Sequence, residues 1–420
     1  MTSETTTDTE TPSRLMGRAT GVVVVGTVAL ANASSYGFQV VTGRFLKPDA
    51  YGLLAGLMTV IAIVGVSASS LQTVAAKAVS AGEVEEGPAV FDGLSRSAVK
   101  VGAGATLAFL VLSPLLADFL KVGVLPVLFV AAFIIPSLLG AIAVGRLQGQ
   151  MRFIAMSVLS MCFALSKLGV GVAMTAAGFG VTALVGGLVL ASSACTGVGL
   201  WIARNAGAIA GRVLDRSTGR VFLGVTLFWV LVSLDIPFAR AFFSEGMAGQ
   251  FAAADVVGRA VLWLPSVITQ ITFPQVSQAV SNIESTEPLM LKAFAMSSTL
   301  AAGGVVGIWL LGEPVFRYLY GDEYPDAHNY AWKIALATVP YAVVNLLLHH
   351  NFARNHNRFV AVLIVAAIAQ ASALAFGPHT PTAYATVLGV TASATAIALL
   401  PAGGWRFLLQ TLRPSRKSDA

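Results

Sequence analysis

Four ionisable side chains lie inside long apolar stretches of the sequence: Lys167, Asp235, Asp255 and Arg259. If these stretches are membrane-spanning helices, Lys167 and Asp235 lie roughly 22 Å from the helix starts, at about 1.5 Å of rise per residue. A charge at the centre of a bilayer costs roughly 2.5–3.5 kcal/mol on insertion scales. Side chains of this kind therefore either bind ions or charged ligands, or neutralise one another.

Asp255 and Arg259 are spaced i, i+4, a spacing at which two side chains on one helix meet. In one interpretation, the two acidic and two basic groups form two neutralising pairs that hold helices together. In the other, the charges contact a transported ligand or a coupling ion. The sequence leaves both interpretations open.

Uncharged polar residues mark one face of the first apolar stretch, at spacings of three, four and seven. These residues are Asn32, Ser35, Tyr36 and Gln39. A polar face of this kind must contact protein or a water-filled cavity rather than lipid. We therefore predict that it lines a cavity.

Three further cavity candidates have a simpler alternative. Gln72 and Gln270 are isolated polar residues in long apolar stretches, where each could instead make an interhelical hydrogen bond. Arg240 lies near the end of a stretch, from which a long basic side chain could extend to the headgroups.

The composition identifies the solvent around these residues. Of the 420 residues, 56% are hydrophobic and 11% are charged, against about 25% charged in an ordinary soluble domain. Apolar runs of helix-spanning length recur along the chain, and the mean hydropathy is +0.78. A β-barrel would alternate apolar and polar residues, whereas 60–66 and 360–369 are continuously apolar. The chain is predicted to be an all-α polytopic membrane protein.

Some chemistries are not expected. The sequence has no Walker loop for ATP hydrolysis and no basic stretch interleaved with aromatic residues for nucleic acid. His349, His350 and His356 have no neighbouring carboxylate or cysteine that would complete a metal site. We predict no catalytic residues, no metal and no cofactor, and hence no enzymatic activity.

Twelve spans are predicted, with boundaries uncertain by a few residues. Pro237 should kink the seventh span, and Pro265 and Pro274 the eighth, because proline removes a backbone hydrogen bond. The Thr-rich, acidic residues 1–13 are predicted to be a disordered tail. The spans are 16–43, 51–79, 97–117, 124–145, 152–175, 180–203, 219–243, 248–279, 290–311, 328–352, 358–376 and 382–408.

Basic residues are distributed unequally between the two sides of this arrangement. One side holds only Arg44, Lys47, Lys121, Arg240, Arg317 and Lys333. Lys167 and Arg259 fall within spans, and the other 18 of the 26 basic residues share the side of the two termini. By the positive-inside rule, both termini are predicted to be cytoplasmic, and the net charge of +6 reflects topology.

Two weak local similarities between the halves of the sequence suggest an internal repeat. Gln72 precedes Gln270 by 198 residues, and the loop 148–153 precedes the similar loop 354–359 by 206 residues. Because six spans return the chain to its starting side, the two halves should be parallel repeats. The predicted organisation is a tail at 1–13, a six-helix lobe at 14–203, a cytoplasmic linker at 204–218, a second lobe at 219–408 and a basic tail at 409–420.

Three segments resemble those of the polysaccharide-biosynthesis flippases, the O-antigen and teichoic-acid exporters of the multidrug/oligosaccharidyl-lipid/polysaccharide transporter superfamily. The similarity extends over about 14–413. The segments are Pro48-Asp49-Ala50-Tyr51-Gly52-Leu53 leading to Ser70-Leu71-Gln72, Gly145-Arg146-Leu147-Gln148-Gly149 before Phe153, and Phe273-Pro274-Gln275-Val276-Ser277.

This resemblance implies a V-shaped pair of six-helix lobes, like that of multidrug (MATE) exporters, around a central cavity. It implies export of an undecaprenyl-pyrophosphate-linked oligosaccharide, such as a lipopolysaccharide precursor, across the cytoplasmic membrane. Glycosyltransferases or a polymerase of the same pathway would be partners. Asp235 and Asp255 oppose the cationic cavity expected for a pyrophosphate, because their charges balance Lys167 and Arg259.

Two other functions stay open. An ion-coupled antiporter of drugs or metabolites could use Asp235 or Asp255 to exchange a proton or sodium ion. A non-transporting membrane partner in envelope assembly is the second. A major-facilitator transporter is disfavoured, because 80–100 lacks the Gly-Asp-Arg-Gly-Arg-type motif of that family.

Overall fold

The computed structural model describes residues 12–80, 92–205, 209, 216–261, 287–353 and 358–400. Throughout this part of the chain the regular secondary structure is α-helical. Nine of the helices found there are long and apolar enough to cross a membrane. The protein is therefore an all-helical, multi-pass membrane protein, as its composition predicted.

The helices follow the predicted spans closely, because each is bounded by Pro, Gly or charged residues that end an apolar run. The first six are α1 (Pro12–Phe45), α2 (Pro48–Ser80), α3 (Gly93–Phe119), α4 (Val124–Gly149), α5 (Phe153–Ala176) and α6 (Val181–Ile202). The others are α7 (Arg216–Ser233), α8 (Asp235–Phe242), α9 (245–261), α10 (Glu287–Tyr320), α11 (Ala327–Ala353), α12 (Arg358–Phe376) and α13 (Pro381–Leu399).

Three boundaries differ from the prediction. Helix α10 continues to Tyr320, where a loop was expected from residue 312, and α13 ends at Leu399 rather than at 408. Helix α1 begins at Pro12, within the predicted tail. Gln270, Pro265 and Pro274 lie outside the described residues.

The seventh span is divided at Leu234, three residues before Pro237, where the sequence predicts a kink. Helix α7 ends at Ser233 and α8 begins at Asp235, consistent with a proline that cannot donate to the Ser233 carbonyl. Near the break, the Gln370 side chain donates to the Leu231 carbonyl over 2.7 Å. The interruption is thus stabilised by a side chain from α12, as a break inside a membrane requires.

The chain forms two compact units. The first comprises residues 1–40, 68–110 and 131–215, and the second comprises 41–67, 111–130 and 216–420. The boundary at 215/216 falls inside the predicted linker 204–218. The second unit also includes the ends of α1 to α4 that adjoin the α1–α2 and α3–α4 loops.

Within the first unit, α2 and α4 are in backbone contact. A Cβ atom at Gly145 would lie 2.2 Å from the Gln72 carbonyl oxygen, and one at Gly149 would lie 2.6 Å from that of Ala76. Glycines four residues apart are the usual way for membrane helices to approach this closely. The Gly145-Arg146-Leu147-Gln148-Gly149 segment therefore serves helix packing.

Within the second unit, the starts of α2 and α9 are also in backbone contact. A Cβ atom at Gly249 would lie 1.9 Å from the Pro48 carbonyl oxygen. Beside this contact the rings of Tyr51, Tyr320 and Tyr324 pack with centroids 5.3–6.0 Å apart. The Pro48–Leu53 segment thus joins α2 to helices from the C-terminal part of the chain.

Candidate functional site

The second unit contains a buried cluster of three charges. Arg259 Nη2 forms an ion pair with Asp235 Oδ1, and Arg259 Nε lies 2.7 Å from Asp255 Oδ1. Arg259 Nη1 also donates to Ser233 Oγ over 3.4 Å. The predicted contact between Asp255 and Arg259 is present, and Asp235 joins it from the broken seventh span.

The cluster has an uneven charge. Asp235 is fully buried, Asp255 is 5% exposed, and the Arg259 side chain is 15% exposed. With all three groups ionised, the cluster has one excess negative charge. It becomes neutral when it takes up one proton or one monovalent cation.

Lys167 lies in the first unit and takes no part in this cluster. Its ammonium Nζ is 4.7 Å from the centroid of the buried Phe38 ring on α1, a cation–π distance. No ion pair joins Lys167 to a carboxylate in the part of the chain that the structure describes. The interpretation as two neutralising pairs is therefore wrong, because both aspartates pair with Arg259.

The polar face on α1 is only partly buried. Asn32 is exposed, while Ser35, Tyr36 and Gln39 are of intermediate exposure. A Cβ atom at the neighbouring Gly37 would lie 3.7 Å from the Leu168 side chain of α5. The α1 face and Lys167 of α5 therefore lie on neighbouring helices of the same unit.

Gln72 makes the interhelical hydrogen bond that was one of its two predicted roles. Its Nε2 donates to Gln148 Oε1 over 2.9 Å, between α2 and α4. This bond lies beside the close contact of Gly145 with the Gln72 backbone. Gln72 thus stabilises the packing of the first unit.

Arg240 does not extend to the membrane surface, contrary to the simpler expectation. It is 3% exposed, and its guanidinium donates to the carbonyls of Leu120 and Lys121, over 3.1 and 3.2 Å. Nη2 also lies 3.0 Å from Glu245 Oε1. The guanidinium cation at these carbonyls is attracted to the negative end of the α3 dipole. Arg240 therefore joins α8 to α3.

A further buried ion pair was not predicted as part of any site. Arg146 is fully buried on α4 and forms an ion pair with Asp92 Oδ2. Asp92 Oδ1 accepts from the backbone N–H of Ser95, and Asp92 Oδ2 from that of Ile209, over 2.8 and 2.7 Å. The start of α3 therefore binds residue 209, which lies between α6 and α7.

A polar network around Gln370 was also not predicted. Gln370 stands out in the sequence only as a lone amide in α12. Its Oε1 accepts from the hydroxyls of Tyr341 and Thr391, each over 2.7 Å. Together with the bond to Leu231, it links α7, α11, α12 and α13. The signal in the sequence was the lone amide itself, because Pro237 predicts a free carbonyl at Ser233, whereas Gln370 binds that of Leu231.

The buried Tyr324 lies in the α10–α11 loop, outside the helices. Burial, followed by the nearby Tyr320, Glu323 and Asp49, raises the pKa of its hydroxyl well above the usual value. The hydroxyl therefore stays protonated and donates to the Leu46 carbonyl over 3.1 Å. Among the described residues, no group of three or more His, Cys, Asp or Glu side chains is placed to hold a metal ion.

The structure therefore buries charged side chains inside the helices of a membrane protein, where each is a candidate functional group. The fold is similar to that of the lipid II flippase MurJ in an inward closed conformation, with a TM-score of 0.70 and 12% identity. That match covers 90% of this chain and 87% of the other.

The fold is also similar to that of two MATE transporters, one of them in an inward-facing conformation. A MATE family transporter of the MOP superfamily matches with a TM-score of 0.68 at 13% identity, covering 94% of this chain and 99% of the other. The eukaryotic MATE transporter AtDTX14 matches at 0.64 and 12%, covering 95% and 96%. A search of curated protein sequences found no match.

The sequence profile of the polysaccharide biosynthesis protein family matches residues 41–329, more than half of the chain. The chain belongs to this family. Its fold is shared with the solved membrane transporters described above.

Proposed function

We propose that the protein moves a lipid-linked oligosaccharide, attached to undecaprenyl pyrophosphate, across the cytoplasmic membrane. Membership in a polysaccharide-biosynthesis family and a fold shared with a lipid II flippase support this class of substrate. O-antigen and other lipopolysaccharide precursors belong to the class. Glycosyltransferases would supply the substrate, and a polymerase would act on it after transport.

The observation that supports this proposal most directly is the position of Lys167. Its ammonium is within a membrane helix and pairs with no carboxylate in the described part of the chain. Low dielectric strengthens its attraction for a phosphate group. Lys167 would bind the pyrophosphate, while the sugars contact Asn32, Ser35, Tyr36 and Gln39 on neighbouring α1.

The proposed mechanism is alternating access between lobes 14–203 and 219–408, with both termini in the cytoplasm. In that topology, the α2–α9 contact at Pro48 and Gly249 lies on the outer side, and so does the bond from Arg240 to α3. Tyr51, Tyr320 and Tyr324 form part of the same closure. Release to the outer leaflet would require these contacts to separate.

The test replaces the ammonium of Lys167. Lys167→Met should reduce transport about tenfold or more, because a charge-assisted hydrogen bond to phosphate is lost. Lys167→Arg should retain most transport. Surface polymer and the lipid-linked precursor on the cytoplasmic leaflet are measured at matched protein abundance.

Lys77→Met is the matched control, since Lys77 is an exposed lysine of the same unit and its replacement removes the same charge. It should leave transport unchanged. Full transport by a normally abundant Lys167→Met variant would exclude Lys167 from the site. Unchanged polymer after deletion of the protein would exclude the lipid-linked substrate altogether.

The buried charge cluster favours a second candidate, an ion-coupled antiporter of drugs or metabolites. Two carboxylates face a single guanidinium, so one proton or sodium ion would neutralise the excess charge. Asp255→Asn would remove that excess and abolish the dependence of transport on the ion gradient. Increased sensitivity to cationic drugs after deletion, with normal polymer, would support the antiporter.

A further inference from the structure

A groove runs between α11 and α13 in the second unit. Its volume is about 700 Å³, within the range of ligand-binding cavities. Its walls include Trp332, Lys333 and Ala337 of α11, and Gly389 and Ser393 of α13. Neither the charge cluster nor Lys167 contributes to it.

Small side chains form the floor of this groove. A Cβ atom at Gly389 would already lie 3.4 Å from Ala337 Cα, so the two helices are in close contact there. Leu336, Val390 and Ile397 are more than half exposed at its edges. The groove therefore has apolar walls and is open along one side of the helix pair.

Lys333 is the sole charged residue among those that line the groove, and it lies at one end. Its Nζ donates to Thr382 Oγ1 over 3.1 Å, at the start of α13. Two of its three ammonium protons therefore stay available, and the positive end of α13 adds to the field. The ammonium also lies 5.8 Å from the Trp332 ring centroid.

We propose that this groove binds one acyl chain of an anionic phospholipid, whose phosphate contacts Lys333. The apolar walls of the groove suit an acyl chain, and the single cation at its end suits an anionic headgroup. From Thr382 to Ile397 the groove is roughly 22 Å long, at about 1.5 Å per helical residue. That length suits an extended membrane acyl chain and is too short for the much longer polyprenyl chain of the proposed substrate.

Trp332 and Lys333 have the chemistry of an interfacial anchor. In the proposed topology they lie at the outer surface, so the lipid would come from the outer leaflet. The bound lipid would fill the space between α11 and α13, and α11 also contributes Tyr341 to the network around Gln370. The proposal concerns lipid binding alone and does not depend on which substrate is transported.

Native mass spectrometry of the full chain in detergent tests the proposal, with phosphatidylglycerol and phosphatidylcholine of identical acyl chains as probes. Phosphatidylglycerol should bind about tenfold more tightly, because its net negative headgroup attracts Lys333, whereas the choline cation of phosphatidylcholine cancels the charge of its phosphate. Lys333→Gln should remove this preference. Ser393→Leu, which fills the groove, should reduce the binding of both lipids. A thermal unfolding scan checks that this variant is folded.

Lys47→Gln is the matched control, because Lys47 is an exposed lysine predicted on the same side but outside the groove. It should keep the preference for phosphatidylglycerol. Equal binding of the two lipids, or an unchanged preference in Lys333→Gln, would overturn the proposal. Tighter binding of polyprenyl phosphate than of phosphatidylglycerol would overturn it too, as would a lipid-free dimer that Ser393→Leu dissociates.

Discussion

Arg259 holds two buried carboxylates at once, and this arrangement determines how the cluster responds to mutation. Losing Asp255 leaves the ion pair of Arg259 with Asp235, whereas losing Arg259 leaves two buried carboxylates facing each other. Removing one partner of a buried ion pair is far more destabilising than replacing the whole pair with neutral groups. The three residues should therefore behave as a unit with unequal members.

Arg259→Met should lower the free energy of unfolding by about 3–5 kcal/mol, and Asp255→Asn by much less. The triple variant Asp235→Asn, Asp255→Asn, Arg259→Met should recover most of the abundance, since no charge remains in the cluster. Fluorescence-detected size-exclusion chromatography over a temperature series measures these differences.

Transport by the triple variant then shows whether the cluster only stabilises the protein or also takes part in transport. Normal abundance with full transport would mean that the charges only stabilise the second unit. Normal abundance without transport would show that the excess charge is used in the transport cycle. An Arg259→Met variant as stable as the wild type would contradict the cluster itself.

At the scale of helices, glycine positions determine which pairs can touch. Gly145→Ala should push α2 and α4 apart, because its Cβ would lie 2.2 Å from the Gln72 carbonyl oxygen. We expect the free energy of unfolding to fall by about 3 kcal/mol, the upper end of the usual cost of overpacking. Thermal unfolding in detergent measures this change.

Gly104→Ala provides the matched control. Gly104 lies in α3 of the same unit with no heavy atom within 4 Å of its Cβ position, and alanine favours a helix by about 1 kcal/mol over glycine. This variant should be as stable as the wild type or slightly more stable. Equal stability of both alanine variants would contradict the tight α2–α4 contact.

The sequence predicted the helices well because bilayer thickness imposes the length of an apolar run. It missed the continuation of α10 to Tyr320, since Glu313 and Arg317 look like loop residues once the apolar run ends. The contact of Asp255 with Arg259 was predictable because it is local. The pairing of Asp235 with Arg259, and the position of Lys167 beside Phe38, depend on which helices are neighbours, and a single sequence does not determine that.

At the scale of the whole molecule, the first prediction is orientation. In a background with Cys162 and Cys195 replaced by alanine, Asp322→Cys should react with an impermeant thiol reagent on intact cells. Asn205→Cys should react only after the membrane is permeabilised, because the positive-inside rule assigns its side to the cytoplasm. Both positions are exposed, so solvent access does not limit the comparison. The reverse labelling pattern would overturn the topology.

The last prediction concerns the proposed outer closure, where α2 and α9 meet. A Cβ atom at Gly246 would lie 3.3 Å from Asp49 Oδ1, and both positions are accessible to an oxidant. In the same cysteine-free background, Asp49→Cys with Gly246→Cys should form a disulfide, because a cysteine Sγ at position 49 takes the place of Asp49 Cγ, the atom bonded to that oxygen. If release of substrate requires these helices to separate, the oxidised protein should bind substrate but not transport it. Dithiothreitol should restore transport, and each single-cysteine variant should be insensitive to oxidation. Full transport by completely cross-linked protein would show that this contact stays closed throughout the cycle.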